Sequence, residues 1–377
     1  MAIGRSFLSK FGVKKAATWG TAVDVNAASQ GLDFLEEGLT VDINLLPDES
    51  ITGTRDRKSG QTGAKTVAGS LTSNLLYSNP TMATLIAMCM GRADTPVAPL
   101  GTDGSKPYAY YGSYRLGSTL EGYFVTMAIN KKQDGSQIHE YDSVKINGMT
   151  ITGSAGSFVE VSFDLIAREL KTSGTTTTTL GSLTTALPRK NIRFEDFQFR
   201  INRTAEDVEL AAADQFYPAS FTITVANGLE GDHTSENSPF IDEPIVNETV
   251  AITGSFEIPK FTDGDIETRF FAGTEMKMDI RARSTTQIPA VGGGPYYYAF
   301  EMFFPTVQFT DAPRPVNRAS KIPANFSWVA SEVTTAAPGG MDGNGNLSTL
   351  TNDEAKGSLT SSMTIEVTNV EQANPLA

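Results

Sequence analysis

Short runs in which apolar and polar residues alternate recur along the whole chain, and they constrain its fold more than any other feature. In such a run every second side chain points to the same face, so a strand can bury one face and expose the other. The pattern occupies residues 41–45, 144–146, 158–163, 197–201, 221–225 and 363–367. Turn-forming pairs such as Asn147-Gly148 and Asn227-Gly228 are expected to reverse the chain between strands. The sequence therefore predicts antiparallel sheets and an all-β fold.

Helical signals are few. Asn79 is suited to cap a helix, Pro80 to its first position and Gly91 to its end, which predicts one short helix between them. A second helix is expected over residues 265–271, ended by Gly273. Both would lie beside the sheets.

Two parts of the chain carry the same elements in the same order. Residues 66–71 (TVAGSL) precede the helix that ends at Gly91, and residues 250–256 (VAITGSF) precede the helix that ends at Gly273. A strand, a turn and a further strand follow in both parts. The sequence thus predicts two tandem related β-sandwich or barrel-like domains, each with a short flanking α-helix, plus a C-terminal arm.

Composition shifts suggest where these units begin and end. Threonine-rich and glycine-rich stretches have little to bury and are typical of linkers. The predicted units are an N-terminal segment (1–37), a first domain (38–172), a linker (173–190), a second domain (191–335) and the C-terminal arm (336–377).

Charge and composition exclude several classes of protein. The chain has 43 acidic and 30 basic side chains, a net charge of −13, which disfavours binding to nucleic acid or to anionic membranes. A single cysteine, Cys89, excludes a disulfide framework, and two histidines, His139 and His233, leave little for a zinc site. The longest apolar run, 82–90, is shorter than the roughly 20 residues of a membrane span, and residues 1–15 lack a signal-peptide core. We expect a protein made in the cytoplasm, with no membrane partner.

Two local motifs imitate ligand-binding loops. Residues 342–346 resemble the start of a calcium loop, but Leu347 replaces its glycine and Asp353 its final glutamate, so a flexible linker is the better interpretation. Residues 60–66 lack the spacing of a phosphate-binding loop, so the sequence predicts a polar loop there. No spaced acid, base or metal cluster indicates catalysis. We therefore predict no metal, no cofactor and no enzymatic activity.

Several segments together resemble a known family. These are residues 15–22 (KAATWGTA), the strand at 39–45, the charged loop at 54–60 and Gly69-Ser70-Leu71 before the short helix. They are similar to the major tail tube proteins of long-tailed, siphovirus-type bacteriophages. The resemblance implies a virion protein whose sandwich domains form rings of six around a channel for DNA. A chain with two such domains would close the ring as a trimer, with a hexamer as the alternative. It also implies contacts with a tape-measure protein and other tail proteins.

A channel that lets DNA slide needs an acidic wall, because basic walls would hold the phosphates. Candidate lumen-facing residues occupy polar positions of the predicted strands: Asp42, Glu160, Asp164, Asp279 and Glu301. Rings must also contact one another, and two long polar loops are suited to this. The candidate inter-ring residues are Arg55, Asp56, Arg57 and Lys58 on one loop, with Asp232, Glu236, Asp242 and Glu243 on the other. A solvated, mobile loop is the alternative.

The aromatic run at residues 296–304 leaves two interpretations open. Rings on both faces of one strand fit either a subunit interface or a central core strand. The function also keeps alternatives, namely another ring of the tail, such as a baseplate or terminator component, or a carbohydrate-binding adhesin.

Overall fold

A computed structural model describes residues 9–51, 53, 56, 58–96, 110–131, 137–172, 174–179, 190–204, 210, 212–235, 238–259, 265–288, 296–311, 324–332 and 361–377, without the side chains of 265–267. Below, the first half denotes residues up to 172 and the second half residues from 190. Among the predicted features, Arg55, Arg57, Glu236 and the segment 342–346 lie outside the described residues.

Nineteen strands are described, and all their pairings are antiparallel, which confirms the all-β prediction. The first half contains β1 (Phe11–Lys15), β2 (Glu36–Glu37), β3 (Thr40–Leu46), β4 (Gln61–Asn74), β5 (Gly91–Ala93), β6 (Tyr110–Leu116), β7 (Val125–Asn130), β8 (Ile138–Ser154) and β9 (Glu160–Thr172). The second half contains β10 (Phe197–Arg203), β11 (Gln215–Phe216), β12 (Ser220–Ala226), β13 (Leu229–Glu230), β14 (Ile245–Val246), β15 (Ala251–Ile258), β16 (Met276–Gln287), β17 (Tyr297–Asp311), β18 (Ala324–Ala330) and β19 (Thr364–Asn369).

Both predicted helices are confirmed, as α1 (Pro80–Met90) and α2 (Asp265–Phe271). Asn79 caps α1, since its side chain accepts a hydrogen bond of 2.9 Å from the backbone N–H of Met82. Gly91 ends α1 with φ of 80°, a conformation that glycine adopts without strain. Helix α1 is almost wholly buried, so it belongs to the core of the first half.

The predicted reversal at Asn147-Gly148 is wrong. Both residues lie inside the long strand β8, where the pairing with β9 shifts between Ile146 and Gly148 as a β-bulge. Asn147 has another use, because its side-chain oxygen accepts a hydrogen bond of 2.8 Å from the backbone N–H of Leu229. An Asn-Gly pair is favoured where the chain departs from regular strand pairing. This departure can be a β-bulge, as here, as well as a turn.

The strands of the two halves pair in matching orders. In the first half the order is β3-β4-β9-β8-β7-β1, and in the second half it is β12-β15-β18-β17-β16-β10. Helix α1 follows β4 and helix α2 follows β15, which are corresponding strands.

The registers match as well as the orders. Val144 of β8 pairs with Val125 on one side and Ala167 on the other, and Val307 of β17 takes the same place between β16 and β18. Beside these valines, each of the two central strands has a register shift on each side, and these shifts fall at corresponding positions. Strands β16 and β17 have a further shift between Arg283 and Gln287. Residues of one half can therefore be assigned counterparts in the other, pair by pair.

Two ladders join the halves. Strand β8 pairs with β12, from Ser154↔Ser220 to Gly148↔Ala226, and a hydroxyl contact of 3.3 Å links Thr150 to Thr224 across it. The C-terminal strand β19 lies between β17 of the second half and β6 of the first. The largest hydrophobic cluster accordingly contains buried side chains from both halves.

The aromatic run is placed in the interior. Strand β17 pairs with β16, β18 and β19, and its residues from Ala299 to Val307 are all buried within this chain. Aromatic rings are therefore needed on both faces of the strand, which agrees with the core interpretation of the run.

The close approach of β4 to the chain before β3 makes Gly69 sensitive to a side chain. A Cβ atom there would meet the carbonyl oxygen of Gly38 and lie 2.7 Å from Cα of Leu39, whereas one at Gly38 would have ordinary contacts of 3.6 Å or more. We expect Gly69→Ala to lower the free energy of unfolding by about 1–3 kcal/mol, and Gly38→Ala by less than about 0.5 kcal/mol. Urea unfolding of the two unassembled variants checks this, and equal losses would contradict the described packing.

Candidate functional site

One face of the joined sheet is polar and continuous across both halves. The strands β3, β4, β9, β8, β12, β15 and β18 are neighbours in this order, and on each of them alternate side chains point away from the core. The outward side chains on β12 and on the part of β8 that pairs with it are mostly small hydroxyls, such as Thr150 and Thr222, whereas their neighbours Ile151 and Phe221 are buried. We term this surface the hydroxyl-rich face.

Three of the predicted lumen residues lie on this face. Asp42, Glu160 and Asp164 are exposed and sit at outward positions of β3 and β9. Asp164 is opposite Ser70 on one side and Gly148 on the other, so small neighbours leave its carboxylate open to solvent.

The face also holds carboxylates that sequence reasoning missed. Glu36, Glu257 and Asp311 are exposed, and their register partners Thr72, Ser220 and Ser327 belong to the face. The alternation around Phe256 could have placed Glu257 outward. The exposed charged residues at the described positions of the face are these six carboxylates, whereas Lys145 on β8 and Arg168 on β9 are buried and half-buried. The exposed charge of the face is therefore anionic in both halves.

The prediction for Asp279 and Glu301 is wrong, because both side chains are buried within the chain, at 0% and 1% exposure. Strands β16 and β17 are covered on both faces here, and Arg281 lies beside Glu301, with 3.7 Å between Nε and Oε2. Alternation shows which side chains share a face, but it does not show whether other parts of the chain cover that face.

A second feature is the loop of residues 231–244, the second-half loop, which packs on the first half. The Lys145 ammonium lies 2.7 Å from Glu243 Oε1 and donates to the Pro244 carbonyl at the same distance. Glu243 Oε1 also accepts a hydrogen bond of 2.7 Å from the backbone N–H of Gly122. Burial lowers the pKa of Lys145, and the hydrogen bond and charge of Glu243 oppose that shift. The loop thus neutralises a buried cation of the other half.

Further contacts hold the middle of this loop. The ring of Phe240 lies between two cations, 5.5 Å from Lys65 Nζ and 5.0 Å from the Arg168 guanidinium carbon. The backbone N–H of Lys65 donates to the Pro239 carbonyl at 2.8 Å. Lys65, Lys145 and Arg168 form the basic cradle, in which an acidic and aromatic loop is seated.

These contacts bear on the predicted inter-ring residues. Glu243 is engaged within its own chain, and the backbone N–H of Asp242 donates to the Asp232 carbonyl at 2.9 Å. Lys58 is exposed on residues 47–60, the first-half loop, and its ammonium lies 3.5 Å from Asp48. Asp56 is exposed there too. The Lys58 ammonium also donates to the Ser50 hydroxyl at 3.0 Å within its own loop. The pairing of Asp56 and Lys58 with acidic residues of the next ring stays a prediction.

Within the described residues, no cluster of three or more His, Cys, Asp and Glu side chains is placed to hold a metal ion. The same residues include no helix that is long and apolar enough to cross a membrane. In comparison with known proteins, the chain matches a family model described as phage tail tube protein over residues 6–330. No curated protein matches the chain.

Removal of the Glu243 carboxylate should lower the stability of the protein. Glu243→Ala removes the carboxylate in contact with the Lys145 ammonium, which is 1% exposed, and leaves it only the Pro244 carbonyl and the charge of Glu121. We expect a loss of about 2 kcal/mol in the free energy of unfolding, less than for a wholly buried pair because Glu243 is 27% exposed. The matched control Asp242→Ala should cost less than about 0.5 kcal/mol. Urea unfolding measures both, and a loss no greater for Glu243→Ala than for the control would contradict the assignment.

Proposed function

Since this chain belongs to the phage tail tube protein family and is a structural subunit of the virion tail, we propose that three copies close each ring of the tube. In this ring six halves surround a channel, and rings stack to form the tube through which DNA reaches the host. The observation that carries the proposal is the correspondence of strand order and register between the halves. A ring of six equivalent sandwiches needs two such units from each of three chains.

The same correspondence supports two tandem tube domains, at 38–172 and 191–335. Six strands and one helix recur in each half, with the register shifts at corresponding positions. The β8–β12 ladder joins the two units side by side within one chain. A ring would be built by repeating a side-by-side junction between chains.

We propose that the hydroxyl-rich face lines the channel. It runs across both halves, and its exposed charges at the described positions are all carboxylates. Such a wall repels the phosphates of passing DNA, so the contacts that retain a polyanion do not form. The small hydroxyls next to the carboxylates keep the wall wetted and flat. The face would meet DNA without reading its sequence, and it would meet the tape-measure protein before ejection.

Self-assembly tests the structural role. The purified chain should form hollow rods with a regular axial repeat, visible by negative-stain electron microscopy. The head-to-tail contacts between stacked rings repeat along the axis without closing, so the rods should be open-ended. Isolated closed rings would favour a baseplate or terminator component, and dispersed monomers at high concentration would contradict the proposal.

Charge reversal tests the wall. In Asp42→Lys/Asp164→Lys two carboxylates of every subunit become cations that line the proposed channel. We expect rods of this variant to retain short duplex DNA at about 50 mM salt and to release it at about 200 mM, because counterion release makes such binding salt-dependent. Gel-shift and co-sedimentation assays measure the retention.

The matched control is Asp33→Lys/Glu248→Lys. It makes the same charge change at two exposed residues outside the strands of the hydroxyl-rich face. Its rods should resemble those of the unmodified chain in DNA binding. If the rods of both variants retained DNA equally, the proposal that the hydroxyl-rich face lines the channel would be contradicted.

A further inference from the structure

The first-half loop has a counterpart whose docking place is known. Residues 47–60 connect β3 to β4, and residues 231–244 connect β13 to β14, after β12. Each loop has 14 residues, and the flanking pairs Leu45↔Thr62 and Leu229↔Val246 correspond in register. Position for position, Lys58 corresponds to Asp242 and Ser59 to Glu243.

The two loops differ in their surroundings. Leu229 is 7% exposed where the second-half loop meets the first half, but its counterpart Leu45 is 66% exposed. Leu46 and Ile51 are exposed beside Leu45 as well, at 52% and 100%. Exposed apolar side chains gathered in one place are typical of an interface. The first-half loop is therefore built like a docked loop, yet the part of the chain that the structure describes leaves its apolar side chains exposed.

The surface that corresponds to the basic cradle lies on the second half. Register pairing assigns Gln308 of β17 as the counterpart of Lys145. Lys145 is the residue after Val144 and pairs with β9, and Gln308 is the residue after Val307 and pairs with β18, the counterpart of β9. Gln308 is exposed, as are Glu275 and Glu332 near it. Met276 pairs with Val307, and the backbone N–H of Ser331 donates to the Thr306 carbonyl, which brings Glu275 and Glu332 close to this end of β17. We term these three residues the acidic surface.

The charges are reversed together. The second-half loop carries Asp242 and Glu243 and sits on cations. The first-half loop has three acidic and three basic side chains, and its three cations are clustered in the sequence Arg55-Asp56-Arg57-Lys58, while its corresponding surface carries carboxylates. This basic cluster is complementary to the acidic surface and would be repelled by the basic cradle of its own half. Exchange of the two loops between sites would set like charges against each other, so the pattern also specifies which loop binds where.

From these observations we infer that the acidic surface is the docking site for the first-half loop of the adjacent copy in the ring. The contact repeats between chains the arrangement that the second-half loop makes within one chain. This inference rests on the proposed function, because it requires copies of the chain to lie side by side. It assigns the exposed loop to contacts within a ring instead of contacts between rings.

Engineered cysteines test the contact. Ser59 and Gln308 are the counterparts of the paired residues Glu243 and Lys145, and both are exposed. The variant Ser59→Cys/Gln308→Cys should form disulfides between chains on mild oxidation of the assembled protein. The natural Cys89 is fully buried and does not compete. On a non-reducing denaturing gel we expect most of the protein in bands up to a covalent trimer, with no longer ladder, because contacts within a ring close on themselves.

The single variants Ser59→Cys and Gln308→Cys are the controls and should remain monomeric on the gel. If the double variant folds but does not assemble, a mixture of the two single variants should give a covalent dimer. Rods without a cross-link between positions 59 and 308 would overturn the inference while leaving the tube proposal intact. A ladder that continues beyond three chains would overturn the assignment to the ring, since it indicates contacts between rings. Absence of any assembly by the unmodified chain would contradict the proposed function itself, and this inference with it.

A charge exchange gives an independent readout. Lys58→Glu and Glu332→Lys should each raise the protein concentration needed for rod formation, by about tenfold. Combining them restores one attractive pair, so the double variant should need a lower concentration than either single variant. Strictly additive losses, measured by light scattering during assembly, would contradict a direct contact.

Discussion

The antiparallel ladder between β8 and β12 joins two similar sheets into one, and the remaining features of the molecule follow from that junction. Asn227, at the end of β12, is 4% exposed, and its amide donates to the carbonyls of Cys89 and Ile146 at 2.9 and 3.3 Å. These bonds satisfy a buried amide and tie the second half to the end of α1. Burial raises the pKa of the neighbouring Cys89 thiol to about 12, so this side chain stays neutral in the junction.

The junction gives the two sides of the chain different electrostatic roles. Across the hydroxyl-rich face it joins the two halves into one surface whose exposed charges at the described positions are carboxylates. Near the end of that face it brings Glu243 to Lys145, so the charge of this buried ammonium is compensated within the chain. A net charge of −13 is thus not spread evenly over the surface. Its arrangement fits a subunit that attracts its own copies along one edge and repels a polyanion from one face.

Much of the fold could be predicted from local signals. The alternating runs and the capping signals at Asn79 and Gly91 are local, and each corresponds to an element of the structure. Asp42, Glu160 and Asp164 were placed on an exposed face by the same alternation. The burial of Asp279 and Glu301 could not be predicted, because it depends on segments distant in sequence that cover β16 and β17. The ion pair between Lys145 and Glu243 could not be predicted either, because about a hundred residues separate the two in sequence and no local pattern links them.

The central claim is that one chain supplies two of the six units around the channel. Cryo-electron microscopy of the assembled rods tests it directly, by counting the chains in one ring. The account predicts three chains per ring, with six similar sandwiches around the bore and the hydroxyl-rich faces turned inward. A ring of six whole chains, or a bore lined by any other face of the subunit, would contradict it.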